Sequence, residues 1–141
     1  MSDKAFLDTN VLVYAFDASA AKHMAVAQAL LEKALRTDNA CLSAQVLGEF
    51  FVTVTRKIRS PLAVKAAAEI VGVLGKLHVV PVDLLLVQQA IRLQGETCVS
   101  YRDALILAAA ARAGCSEILS EDLNPGQVIH GVRVRNPFAA G

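Results

Sequence analysis

The sequence predicts an α/β fold, a three-layer α/β/α domain around a short central parallel sheet of about five strands, and three observations carry that reading. Short apolar runs alternate with longer segments of helical spacing along the chain. Parallel strands need crossovers, which are usually helical, so the alternation argues for a sheet covered on both faces. Capping and small residues then fall where such helices must start and stop.

Taken in order, strand-like runs lie at 5–7, 40–43, 77–82, 117–120 and 132–135, and helical spacing covers 22–37, 44–57, 61–75, 84–95 and 101–113. Ser60-Pro61 offers an N-cap followed by proline at the first helical position, and Gly75, Gly95 and Gly114 stand where helices should end. The segment "DALILAAAARA" is apolar almost all round, which places it as a central buried helix. The first strand raises a separate problem. In "KAFLDTNVLVYAF" a strand-like apolar run is broken by Asp8 and resumes at Val11-Leu12-Val13. A buried, ionised carboxylate is costly unless a partner offsets its charge.

The 141 residues fit one domain, 1–141, with no repeat, low-complexity segment or linker. At 55% hydrophobic residues the chain is apolar, with a mean hydropathy of +0.46. No apolar run approaches the roughly 18 residues of a membrane span, so the excess is expected to cover a subunit interface. The start, "MSDKAF", has no basic segment leading into a long apolar stretch, so no signal peptide and a cytoplasmic location are expected. Cys41, Cys98 and Cys115 are odd in number and widely separated, which suits buried small hydrophobes rather than disulfides or zinc ligands. His23, His78 and His130 are equally isolated and are expected to be structural. With 14 basic and 13 acidic residues the net charge is +1, so nucleic-acid binding, if present, must be local.

Four acids have a common address. In open α/β sheets ligands bind beyond the C-terminal strand ends, where strand order reverses. Asp8 follows the first strand, Glu49 lies early in the helix after the second, Asp103 opens the buried helix, and Asp122 follows "ILS". Converging carboxylates repel unless they share a proton or a divalent cation. Oxygen ligands without nearby His or Cys favour Mg²⁺ or Mn²⁺. Each acid also has a plainer role: Asp8 as a cap for the segment from Thr9, Glu49 as a solvated helix residue, Asp103 in a Ser-x-x-Asp capping pattern with Ser100, and Asp122 as a turn former.

Four segments, "FLDTNVLVYAF", "LSAQVLGEFFVTVTRK", "SYRDALILAAAARAGC" and "ILSEDLNPGQVIHGVRVRNPF", give the chain its resemblance to PIN-domain ribonucleases, and specifically to the VapC toxins of bacterial toxin–antitoxin pairs. The resemblance spans nearly the whole chain and is least specific at 60–95. It implies that the family's four acids match Asp8, Glu49, Asp103 and Asp122, and that Thr9, Asn10 and Ser120 match the supporting hydroxyl and amide positions. It further implies RNA phosphodiester hydrolysis, with a cation (Mg²⁺ or Mn²⁺) held by Asp8, Asp103 and Asp122, and with Glu49 binding a second ion or orienting the water. A homodimer and a small VapB-like antitoxin that occludes the site are implied as partners.

Two positions depart from the family pattern. Arg102 stands where relatives often carry an aromatic or small residue, and Glu121 where many have Asn. Arg102 is either a contact to substrate phosphate or a solvated residue at the helix start. Glu121 either joins the acidic cluster or adds to its negative charge. An acidic site needs cations around it to bind RNA, and "RKIR" supplies Arg56, Lys57 and Arg59, with Arg102 and Arg112 behind them. The same cluster is also what a solvated helix end favoured by the dipole would look like. A haloacid-dehalogenase-type phosphotransferase would want an acid where Asn10 stands, and a receiver domain would want adjacent acids at the first strand end. The remaining alternative is a PIN-fold protein- or RNA-binding module without nuclease activity.

Overall fold

The structure, a computed structural model, describes residues 4–139; residues 1–3 of the segment inspected for a leader lie outside them. A six-stranded sheet forms the centre, in the order β3-β2-β1-β4-β6-β5. The strands are β1 (Ala5–Leu7), β2 (Ala40–Ser43), β3 (His78–Val80), β4 (Glu117–Leu119), β5 (Val128–Ile129) and β6 (Val132–Arg135). All pairings are parallel except β5 with β6. That last pair is an edge hairpin absent from the five-strand expectation. Its two-residue turn, His130-Gly131, has both residues at positive φ, the geometry that suits the twist of a tight hairpin.

Among the described residues, six helices connect the strands: α1 (Thr9–Tyr14), α2 (Ala21–Thr37), α3 (Ala44–Arg56), α4 (Val64–Leu74), α5 (Leu84–Thr97) and α6 (Tyr101–Arg112). The chain steps outward from β1 to β2 to β3 through α1–α4 and then returns to β4 through α5 and α6. Right-handed crossovers running in opposite directions put the two helix groups on opposite faces. Within the groups, α1 packs on α2 and α3, α3 on α4, and α5 on α6.

The broken apolar run resolves here. Val11, Leu12 and Val13 resume as a helix, because Asp8 is in extended backbone at its N-cap and its carboxylate accepts the Thr9 N–H at 2.7 Å. Capping and burial against α2 and α3 override the strand preference of β-branched residues. Helix α6 is the buried helix the sequence predicts, with Ala104 through Ala110 all buried.

The largest differences from the expected boundaries fall at three elements, the others differing by at most one residue. Helix α4 begins at Val64, not at Pro61, because the Leu62 N–H donates to the Val54 carbonyl and holds the preceding segment as a connection. Helix α5 runs through Gly95 to Thr97 and ends on Cys98, whose φ of 60° supplies the left-handed stop instead. Strand β3 stops at Val80 because Pro81 has no N–H for the ladder. Cys41 and Cys115 are buried as expected, but Cys98 is exposed at this helix end. No helix among the described residues is long and apolar enough to cross a membrane.

Candidate active site

Strands β1 and β4 are neighbours, yet the chain leaves them in opposite directions across the sheet, which makes their C-terminal ends the switch point. Asp8 leaves β1 there and Ser120 leaves β4. The Ser120 hydroxyl donates to Asp8 Oδ2 at 2.7 Å, and its oxygen accepts the N–H groups of Asp122 and Leu123 at 3.2 and 3.3 Å. One hydroxyl thus fixes both the buried carboxylate and the turn that carries Asp122.

Each acid is aimed by its own local device. Asp8 has no exposed surface and is held by the Thr9 N–H and Ser120. Glu49 sits on α3, a helix capped by the Ser43 hydroxyl on the Val46 N–H. The Thr9 hydroxyl donates to Glu49 Oε1 at 2.7 Å, and Gln45 Nε2, one helical turn earlier, donates to Oε2 at 3.3 Å. Asp103 lies in the first turn of α6, where its N–H donates to the Ser100 capping oxygen. Its carboxylate turns to Arg102 rather than back to the cap, so the Ser-x-x-Asp pattern is satisfied on one side only. Asp122 accepts from Asn10 Nδ2 at 3.0 Å, while Asn10 Oδ1 accepts the Glu121 N–H.

Arg102 changes the electrostatics of the cluster. Its Nη2 lies 2.7 Å from Glu49 Oε1 and 2.9 Å from Asp8 Oδ1, and its Nη1 lies 3.1 Å from Asp103 Oδ1. Burial alone would push the Glu49 carboxyl up, but hydrogen bonds from Arg102 and Thr9 outweigh it and hold the group below the usual carboxylate range. Burial likewise works against the charge on Arg102, yet Glu49 and Asp8 more than compensate and raise its pKa. The missing partner of Asp8 is therefore a cation in the protein itself.

These side chains line an open cleft of about 1070 Å³ that also includes Tyr14, Gly48, Thr53, Lys57 and Glu121. Lys57 reaches it from the end of α3, whereas Arg56 and Arg59 are exposed and do not line it. Arg112, at the other end of α6, is engaged with Asp83 at 2.9 Å and is not part of the cleft.

Sequence reasoning missed a second cluster at the cleft wall. Glu121 accepts from the Tyr14 hydroxyl at 2.7 Å, and its other oxygen lies 2.7 Å from His23 Nε2. The His23 ring stacks on Phe138 with centroids 4.7 Å apart, and Tyr14 meets Phe138 edge-on at 5.0 Å. The bond to Glu121, with burial and the nearby acids, pushes the Tyr14 hydroxyl up to about 12. Glu121 therefore fixes Tyr14 and His23, whose rings in turn hold Phe138 of the "RNPF" segment, and His23 has a specific partner. An isolated histidine 98 residues away in sequence offers no pattern from which to read that pairing.

The donor set suits a hard divalent ion: carboxylate oxygens from three elements already converge on one positive group, with no sulfur or imidazole among them. Among the described residues, no three His, Cys, Asp or Glu side chains stand close enough to hold a metal together, and the Arg102 guanidinium occupies the place where Asp8, Glu49 and Asp103 converge. Gln45 Oε1, next to Glu49, is buried with no hydrogen-bond partner among the described residues, an acceptor left over at the edge of the cluster.

The PIN domain family model matches residues 5–128. No curated protein matches the sequence. Among solved structures, VapC20 of Mycobacterium tuberculosis, described as a toxin that cleaves the sarcin-ricin loop, is 24% identical, with 84% of this chain and 92% of that one covered and a TM-score of 0.67. VapBC2 of Rickettsia felis, bound to a fragment of its promoter DNA, is 18% identical over 94% of this chain and 97% of that one, TM-score 0.66. DNA-bound VapBC of Salmonella typhimurium is 20% identical over 97% and 99%, TM-score 0.65.

Proposed function

This chain belongs to the PIN domain family, and from that premise we propose that it is a metal-dependent endoribonuclease acting as the toxin of a toxin–antitoxin pair. The observation that carries the reading is the convergence of Asp8, Glu49 and Asp103 on one positive group at the switch point of the sheet, with Asp122 on the adjoining turn. Mg²⁺ or Mn²⁺, held by Asp8, Asp103 and Asp122, would polarise the scissile phosphate and lower the pKa of the attacking water.

The remaining work falls to this chain's own side chains. Ser120 and the Thr9 N–H fix the Asp8 rotamer, and Asn10 fixes Asp122. Thr9 and Gln45 aim the ionised Glu49, which orients the attacking water. Lys57 at the cleft, with Arg56 and Arg59 beside it, binds the RNA backbone against the repulsion of the acids. The partners under this reading are RNA, a VapB-like antitoxin and a second copy of the chain. The apolar face of α5, where Leu84, Leu85 and Ile91 are exposed, supports burial against a partner.

A binding module without turnover is the second reading, and one observation favours it: a guanidinium that never left the acids would block any metal site. Inducible expression in a bacterial host separates the two. Growth arrest by the wild-type chain, absent with Asp103→Asn, supports the toxin; equal growth with both supports the binding module.

A further inference from the structure

Arg102 is the second residue of α6, a place from which a side chain normally reaches solvent. Here it folds back into the acids. Besides the contacts of Nη1 and Nη2, its Nε lies 3.2 and 3.3 Å from the two oxygens of Glu49, and Nη2 also donates to the Thr9 hydroxyl at 3.2 Å. One planar fork therefore serves carboxylates from the β1 end, from α3 and from α6, a task for which lysine lacks the donors.

We propose that Arg102 is an exchangeable internal counter-ion: it neutralises Asp8, Glu49 and Asp103 when no metal is bound, and a divalent cation enters by displacing it. This rests on the metal-dependent reading above. Two physical facts support exchange rather than coexistence. A hard cation needs carboxylate oxygens at roughly 2.0–2.6 Å, and on two of the three acids that would hold it, Asp8 Oδ1 and Asp103 Oδ1 are already taken by Arg102 Nη2 and Nη1. A guanidinium left in place would then lie against a like charge in a partly buried site. The route out is open, since the Arg102 side chain is 35% exposed, lines the cleft, and is held there only by side-chain bonds. Once released, the guanidinium stands at the rim where substrate phosphate must approach, so one residue serves both states.

The consequence is linkage: arginine and metal compete for the same oxygens, so each weakens the other reciprocally. Metal-stripped wild-type protein and Arg102→Gln are titrated with Mn²⁺ by calorimetry, and both are melted in EDTA and in saturating Mn²⁺. The variant is expected to bind Mn²⁺ more tightly, within the roughly 5- to 150-fold range typical of coupled sites. It is also expected to melt below wild type in EDTA, with the difference lost in Mn²⁺. Arg102→Met, which keeps an apolar stem, replaces it if Arg102→Gln does not fold. Equal affinities, or a wild-type melting advantage that persists unchanged in Mn²⁺, overturn the exchange and leave the nuclease reading standing. Absence of Mn²⁺ binding in both proteins overturns the exchange and the metal-dependent reading together.

Discussion

The hydroxyl of Ser120 donates to Asp8 Oδ2 at 2.7 Å, joining the ends of two adjacent parallel strands 112 residues apart in sequence. Ser120 has no exposed surface, so the fold, and not bulk solvent, supplies the hydroxyl that holds Asp8. Ser120→Ala should therefore lower the cleavage rate by roughly 10- to 100-fold, as loss of a residue that orients a metal ligand does. Asp103→Asn should abolish turnover. Single-turnover cleavage of one RNA substrate measures both; equal losses would contradict the division of roles.

Glu49 predicts a pH dependence. Its carboxyl is held below the usual range, so it binds fewer protons folded than unfolded near that range. The stability this contributes is present above the unfolded carboxylate pKa and is lost as pH falls through the lower folded value. Urea unfolding in EDTA should show wild type more stable than Glu49→Gln at neutral pH, with the gap closing in acid. A gap independent of pH would contradict the assignment.

Tyr14 carries the opposite sign. Its hydroxyl is pushed up to about 12 by the bond to Glu121 and by burial, so the stabilisation from this bond holds below the ordinary tyrosine value and is lost as pH rises through about 12. Spectrophotometric titration should show a late tyrosinate step that disappears in Tyr14→Phe. An unchanged profile would mean that Glu121 does not hold the hydroxyl.

Much of this was legible in the sequence because it depends on local chemistry. Asp8 before Thr9, Ser100 before Asp103, and the apolar "DALILAAAARA" each announce a cap or a buried helix from neighbouring residues alone. What escaped depends on packing. Val11-Leu12-Val13 suits a strand by composition and forms a helix because of its cap and neighbours. Gly95 looks like a stop, but the left-handed residue is Cys98. Arg102 looks like a solvated or phosphate-binding residue, and only the fold reveals that Asp8 and Glu49 lie within its reach.

Arg112 and Lys57 test the proposed RNA surface. Lys57 lines the cleft, whereas Arg112 is tied to Asp83 at the far end of α6. Neutralising Arg56 and Lys57 together should weaken RNA binding and lower the slope of log affinity against log salt by about one to two. Arg112→Ala should leave that slope unchanged. The reverse pattern would move the RNA path to the other end of the helix.

The central claim, that the acids at the switch point hydrolyse RNA, is tested most directly by incubating partner-free protein with total cellular RNA and mapping new 5′ ends. The reactions contain Mg²⁺ or Mn²⁺, with EDTA and Asp103→Asn as controls. Discrete cuts that vanish in both controls are the expected result. Cuts that persist in EDTA or with Asp103→Asn, or no cuts in either metal, would contradict the claim.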